Sequence, residues 1–307
     1  MKKQLPAFLA HQWRLVYLVL PFVLFVFVFH YLPILGWYFA FVDFQPGVAP
    51  WQMPFAGLKW FTSIISSPEQ INTIIRVMKN TLGLSFLGLL TSVFPLIFAV
   101  LLYELRSNKL RRLVQTLSTA PHFVSWVLVY SLVFAFISVD NGVVNNLLMQ
   151  WGVIDTPINF LLDSNHMWLK MTVLGVWKSL GWSAIMYLAA INGIDQELYE
   201  AASIDGASRF QRAIHVTIPG LMPTFFVLIL MNIANIINTG MDQYFVFSNA
   251  MNKDAIEVLD LYVYNIGISD GNFSFATVIS ILKTVVSLIL LFTVNKASRI
   301  VRGESIF

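Results

Sequence analysis

Polar side chains able to do chemistry are sparse in this chain, and several of them sit inside apolar sequence. Between residues 223 and 247, Asn232, Asn235, Asn238, Thr239 and Asp242 recur at spacings near three and four, so most share one helical stripe. Amides and a carboxylate hydrogen-bond hydroxyl groups, while Trp177, Trp182 and Tyr244 offer flat faces for a ring. Lys178 and Lys283 each lie roughly 15 Å along an apolar stretch at 1.5 Å per residue. Such groups are costly in hydrocarbon, so they face a partner helix or a water-filled path. The asparagines serve equally as interhelical glue. The two ammonium groups call for a counter-charge, either a carboxylate on a partner subunit or an anionic group on a bound solute. Other chemistries lack their residues. There is no G-x-x-x-x-G-K-[ST], H-E-x-x-H or G-x-S-x-G, and His11, His30, His122, His166 and His215 are scattered. Asn272-Phe-Ser274 is a sequon of the kind that arises by chance.

The elements that hold these residues follow from composition. Of 307 residues, 57% are hydrophobic and 11% charged, and mean hydropathy is +0.72. Soluble domains carry roughly 25% charged residues, so most of this surface does not face water. With Cys 0, a disulfide-stapled secreted domain is excluded too. The expected fold is an all-α membrane protein, since a span needs about 20 apolar residues and six stretches qualify. They are 16–39, 81–102, 123–139, 168–191, 223–247 and 273–294, with 1–15 and 295–307 as tails and 192–222 as a loop. The third is short and the fifth is interrupted by polar residues. The first is longer than a signal-peptide core and no A-x-A site follows, which predicts an uncleaved helix. The net charge of +3 and pI near 9.0 reflect basic loops kept inside rather than nucleic-acid binding. Lys2, Lys3, Arg14, Arg106, Lys109, Arg111, Arg112, Arg209, Arg212, Lys296, Arg299 and Arg302 fall on one side, predicting that both termini are cytoplasmic.

The loop between the fourth and fifth spans has its own pattern. Asp195 is suited to an N-cap with Glu197 in the first turn, and Leu198, Ala201 and Ala202 share a face. Gly206 can end this helix in a left-handed conformation, and Pro219 and Pro223 punctuate the approach to the next span. A short helix with a small-residue face suits insertion into a groove of a soluble partner. Glu200-Ala201-Ala202, Asp205-Gly206-Ala207 and Val216-Thr-Ile218-Pro219 resemble the EAA loop of carbohydrate-type, binding-protein-dependent ABC importer permeases. Val216 and Ile218 stand where that family has Ile and Leu. Trp177, Gly181-Trp182, Tyr187-Leu-Ala-Ala190 and the closing Ser305-Ile-Phe307 extend the resemblance to permeases of oligosaccharide and polysaccharide-fragment importers.

The resemblance implies a multi-pass subunit of the bacterial cell membrane, in contact with lipid, that is not itself an enzyme. A homologous permease would complete the pore, two cytoplasmic ATPase subunits would hold ATP and Mg, and an extracellular binding protein would deliver the sugar. It makes Glu200, Ala201, Ala202, Asp205, Gly206, Ala207 and Pro219 the ATPase-coupling residues. The substrate path would then draw on Trp177, Lys178, Trp182, Asn232, Asn235, Asn238, Asp242, Tyr244 and Lys283, the two lysines favouring an acidic oligosaccharide. The competing readings are an ATP-independent channel or secondary transporter, and an intramembrane enzyme. The coupling loop and the lack of a visible inverted repeat argue against the first. The lack of paired acids or a nucleophile at matching depth argues against the second.

Overall fold

The computed structural model describes residues 7–302; Lys2, Lys3 and the Ser305-Ile-Phe307 ending lie outside the described residues. All regular elements described are helical, and among the described residues one isolated β-bridge joins Val42 to Phe55. Among the described residues, five helices are long and apolar enough to cross a membrane: Val16–Phe41, Pro68–Tyr103, Met167–Ile191, Arg209–Ala234 and Phe273–Lys296. A bent pair, Asn108–Phe123 with Trp126–Ile137, makes six if counted as one span.

The chain forms two compact units, one of residues up to 70 together with 263–282, the other of 71–262 and the residues from 283 on. In the first unit, α1 (Ala7–Val26) runs into a π turn over Phe27–Tyr31 and a 3-10 segment over Leu32–Phe41. The side chain of Ser274 closes this unit: its hydroxyl donates to the Val42 carbonyl at 2.7 Å and accepts from the Phe44 N–H at 3.0 Å.

The second unit is built on α2 (Pro68–Thr91), its continuation α3 (Val93–Tyr103), α4 (Asn108–Thr119), α5 (Trp126–Ile137) and α6 (Met167–Ile191). Near the start of α3, Pro95 has no N–H for the Thr91 carbonyl. Nearby hydroxyls reinforce the ladder there. Thr91 Oγ1 donates to the Leu87 and Gly88 carbonyls at 2.9 and 3.1 Å, and Ser92 Oγ to Leu89 at 2.6 Å. Leu96, Ala99, Val100, Ala184, Tyr187, Ile191 and Leu221 form a buried apolar cluster.

Three expected spans differ in the structure. The second starts earlier, at Pro68. The third is no straight helix over 123–139. Its chain runs from Asn108, passes a 3-10 turn at Ala120–Phe123 and turns through 105° before α5. Pro121 and the Ser125 cap, whose hydroxyl accepts from the Leu128 N–H at 3.4 Å, fix the turn. The fifth span breaks as well: α8 (Ile218–Ala234) stops, and α9 (Asp242–Phe247) starts only after Gly240, whose φ is +73°. The asparagines therefore do not form one continuous helical stripe. Asparagine side chains compete with the helical ladder, and glycine accepts the left-handed turn that ends it. Further on, α10 (Leu259–Tyr264) is anchored to α2. The Asn80 amide donates to the Asp254 and Glu257 carbonyls at 2.9 and 3.2 Å, and the Thr81 hydroxyl accepts from the Leu259 N–H at 2.8 Å. The last helix, α11 (Phe273–Arg302), runs on beyond residue 294.

Two backbones meet where α6 crosses α4. A Cβ on Gly181 would lie 2.3 Å from the Ser118 carbonyl carbon, whereas one on Gly88 would meet nothing within 4 Å. Gly181→Ala is expected to destabilise the protein by about 1–3 kcal/mol through overpacking. Gly88→Ala is expected to stabilise it by about 0.5–1 kcal/mol through helix propensity. Thermal unfolding of the two purified variants in detergent checks both signs.

Candidate functional site

The loop between α6 and α8 folds as a capped helix, α7 (Gln196–Ile204). Asp195 Oδ1 accepts from the Glu197 N–H at 3.0 Å. The far end closes with Gly206 at φ +76°. There the Ala207 N–H donates to the Ala202 carbonyl at 2.9 Å and the Gly206 N–H to Ser203 at 3.2 Å, the paired bonds of a Schellman cap. Behind α7, the Tyr199 and Thr217 hydroxyls hydrogen-bond at 3.0 Å. Burial pushes the Tyr199 phenol above its usual value, with the Thr217 bond opposing, so it stays neutral near pH 7. Arg212 donates to Ser203 at 3.0 Å and Arg209 to the Glu104 carbonyl at 3.3 Å, fastening the loop to its neighbours. The outward surface carries Glu200, Ala201, Asp205, Gly206 and Pro219, with Ala202 and Ala207 half-buried. Ile204 stands 86% exposed beside them and Phe210 74% exposed. Those two apolar side chains are additional to the residues singled out from the motif. Their signal is apolar type at a loop position with no core to join.

A cavity of about 460 Å³ opens in the second unit between α2, α3, α6, α8 and α9. Of the residues anticipated from sequence, Trp182, Asn232 and Tyr244 line it; Trp177, Lys178, Asn235, Asn238, Asp242 and Lys283 do not. Gln243 joins them, donating to the Met171 carbonyl at 2.8 Å. Hydroxyls come from Thr91, Ser92, Thr172, Ser179 and Ser183. The last three, with Trp182 and Met186, follow helical spacing along one face of α6. That spacing is present in the sequence, but scattered Ser and Thr also occur wherever helices pack closely. Every lining side chain is uncharged.

Each intramembrane lysine finds a partner on its own chain. Lys178 Nζ donates to the Pro121 and His122 carbonyls at 3.2 and 2.6 Å, and lies 5.5 Å from the Trp126 ring centroid. Those carbonyls end the Asn108–Phe123 helix, where the dipole is negative and a cation is stabilised. Beside them, the His122 ring stacks on Trp182 with centroids 4.6 Å apart and planes at 1°. Lys283 pairs with Asp260 on α10, at side-chain exposures of 17% and 20%. The expected carboxylate on a partner subunit is therefore replaced by carbonyls for one lysine and by Asp260 for the other. Asp260 falls outside the six apolar stretches, which hides it in the sequence as an intramembrane partner. Among the described residues no cluster of His, Asp and Glu has the arrangement to hold a metal.

Lys178→Met is expected to leave two carbonyls at a helix end without their charged donor, at a cost of about 1–3 kcal/mol. A fall in thermal stability in detergent, largely restored in Lys178→Arg, checks it.

With this geometry in hand, comparison with known proteins is informative. Residues 91–300 match the family described as binding-protein-dependent transport system inner membrane component. Protein LplB of Bacillus subtilis (strain 168) is 37% identical over 291 residues, which cover 94% of this chain and 90% of that protein. From the same organism, the polygalacturonan/rhamnogalacturonan transport system permease protein YteP is 36% identical over 311 residues, covering 100% of this chain and 94% of its own. A chain of a solved bacterial alginate ABC transporter, crystallised with an alginate pentasaccharide-bound periplasmic protein, superposes with TM-score 0.85 at 30% identity. The match covers 99% of this chain and 100% of that one.

Proposed function

The chain belongs to the family of binding-protein-dependent transport system inner membrane components, and from that premise we propose that it forms half of an oligosaccharide path through the membrane. The other half is a homologous permease. An extracellular substrate-binding protein delivers the sugar, and two cytoplasmic ATPase subunits, holding ATP and Mg, drive alternation of access. In this reading the membrane is crossed six times, with the bent pair over 108–137 as the third span. Both termini and α7 are cytoplasmic, as the distribution of basic residues favours. This chain does no bond chemistry of its own.

The observation that carries the proposal is the cavity. Amide, hydroxyl and indole groups without a formal charge are what a chain of sugar rings needs: hydrogen-bond partners for its hydroxyls and a flat face for a ring. The broken fifth span supports it, since irregular backbone at membrane depth is tolerated where it is buried in protein or lines a water-filled cavity. The names of YteP and of the alginate transporter concern polyuronates, so the proposed sugar is an acidic oligosaccharide. Its carboxylates are not met by Lys178 or Lys283, which are already partnered, and contact with them falls to the second permease. The competing ATP-independent channel would have no use for a capped, outward-facing helix of this kind.

Two measurements test the proposal. Asn232→Leu is expected to raise the KM for uptake roughly threefold to tenfold, the loss of about one hydrogen bond. Acidic and matched neutral oligosaccharides should be affected alike; unchanged uptake of both would remove the cavity from the path. At the loop, Ile204→Asp is expected to weaken ATPase binding by roughly 2 kcal/mol, about thirtyfold. Gly206→Pro should do so by breaking the helix cap. Both variants should still insert and pair with the sister permease. Undiminished co-purification of the ATPase with both would overturn the coupling assignment.

A further inference from the structure

The break in the fifth span, residues 235–241, is held by side chains from three different helices. From α2, the Ser85 hydroxyl donates to the Ile236 carbonyl at 2.5 Å. From α10, Asp260 Oδ2 accepts from the Gly240 N–H at 2.9 Å. From α11, Lys283 pairs with the other oxygen of the same carboxylate, Asp260 Oδ1. One carboxylate thus ties the left-handed turn at Gly240 to a lysine on the last helix. The break in turn sets two parts of the cavity wall: Asn232 lies at the end of the helix before it, and Gln243 and Tyr244 open the helix after it.

We infer that Asp260 and Lys283 form a charge-neutral clamp that positions the sugar-contacting groups on both sides of the break, acting through the Gly240 N–H. Neither side chain touches the cavity, so both are positioning residues. The physical logic is that of a partly buried pair. Removing either member leaves an uncompensated charge in a shielded site, whereas removing both leaves none. The carboxylate accepts from the Gly240 N–H while it pairs with the Lys283 ammonium, and charge-assisted bonds of this kind are stronger than neutral ones. The inference rests on the cavity being the sugar path, so its test includes a readout that needs no sugar.

The chain has no cysteine, which makes single reporters straightforward. Two are introduced: Asn232→Cys in the last turn before the break, and Gly88→Cys as a control on the same cavity but away from the break. Each thiol is labelled with a methanethiosulfonate reagent in the assembled transporter. Each reporter is combined with Asp260→Asn, Lys283→Met, the double Asp260→Asn/Lys283→Met, and Lys283→Arg. The clamp predicts that each single charge-removing variant changes the labelling rate of the break reporter at least threefold and leaves that of the control reporter unchanged. In the cysteine-free background, each should raise the KM for oligosaccharide uptake about tenfold with a smaller change in maximal rate. The double variant should lie closer to wild type than either single, and Lys283→Arg should be near wild type. Ser85→Ala removes the second tether with little risk to folding and should shift break-reporter labelling and KM in the same direction, about twofold. It decides the matter if the charge variants fail to accumulate. The clamp is overturned if the single variants lower only protein yield and maximal rate, with break-reporter labelling and KM at wild-type values. It is also overturned if the double variant shows the summed loss of the two singles. If break-reporter labelling shifts while KM does not, the clamp stands and the sugar-path reading fails.

Discussion

A peptide group that leaves its helical ladder among apolar helices must find another partner, and that constraint shapes the site-bearing part of this molecule. The chain leaves the ladder at the turn between α4 and α5 and again at the break between α8 and α9. At the first, the Pro121 and His122 carbonyls receive the Lys178 ammonium. At the second, Ile236 and Gly240 are met by Ser85 and Asp260. Even the weak point at Pro95 is surrounded by the Thr91 and Ser92 hydroxyls bonding back to the preceding turn. The polar residues placed so sparingly in this sequence serve largely to satisfy such groups.

The same constraint explains why the cavity is neutral. Charges in apolar surroundings are stable only when compensated, and both lysines are compensated within the chain. A cavity walled by amides, hydroxyls and an indole binds through hydrogen bonds and ring contacts. In the proposed sugar path, a neutral wall lets a solute leave as readily as it enters.

How much of this is legible in the sequence depends on the range of the interaction. The cap on α7 is readable because its determinants are local: Asp195 at the start and Gly206 at the end, with only nearby backbone involved. The first and last candidate spans are readable from hydropathy, despite Lys283 within the last. The bend after Phe123 is not, because hydropathy continues across it and the turn depends on a proline, a serine cap and a lysine far along the chain. The asparagines suggest a helical stripe because spacing alone cannot show that Asn235 and Asn238 lie beyond the helix end. Asp260 escapes notice as the partner of Lys283 because its six-residue helix, Leu259–Tyr264, is too short to read as part of a span.

The contact between Gly181 and Ser118 has a mechanical meaning as well as a packing one. Helices separated by a layer of side chains can slide, since rotamers rearrange as they move. Here backbone rests on backbone, with no room even for a methyl group, and no soft layer lies between α4 and α6 at that crossing. The two helices form a single stiff strut. One end of α6 leads through residues 192–194 straight into the capped helix, and its length carries Ser179, Trp182 and Ser183 along the cavity wall. In the proposed coupling role, a push on the loop would reach that wall as a tilt of the strut, with little lost to deformation at the crossing.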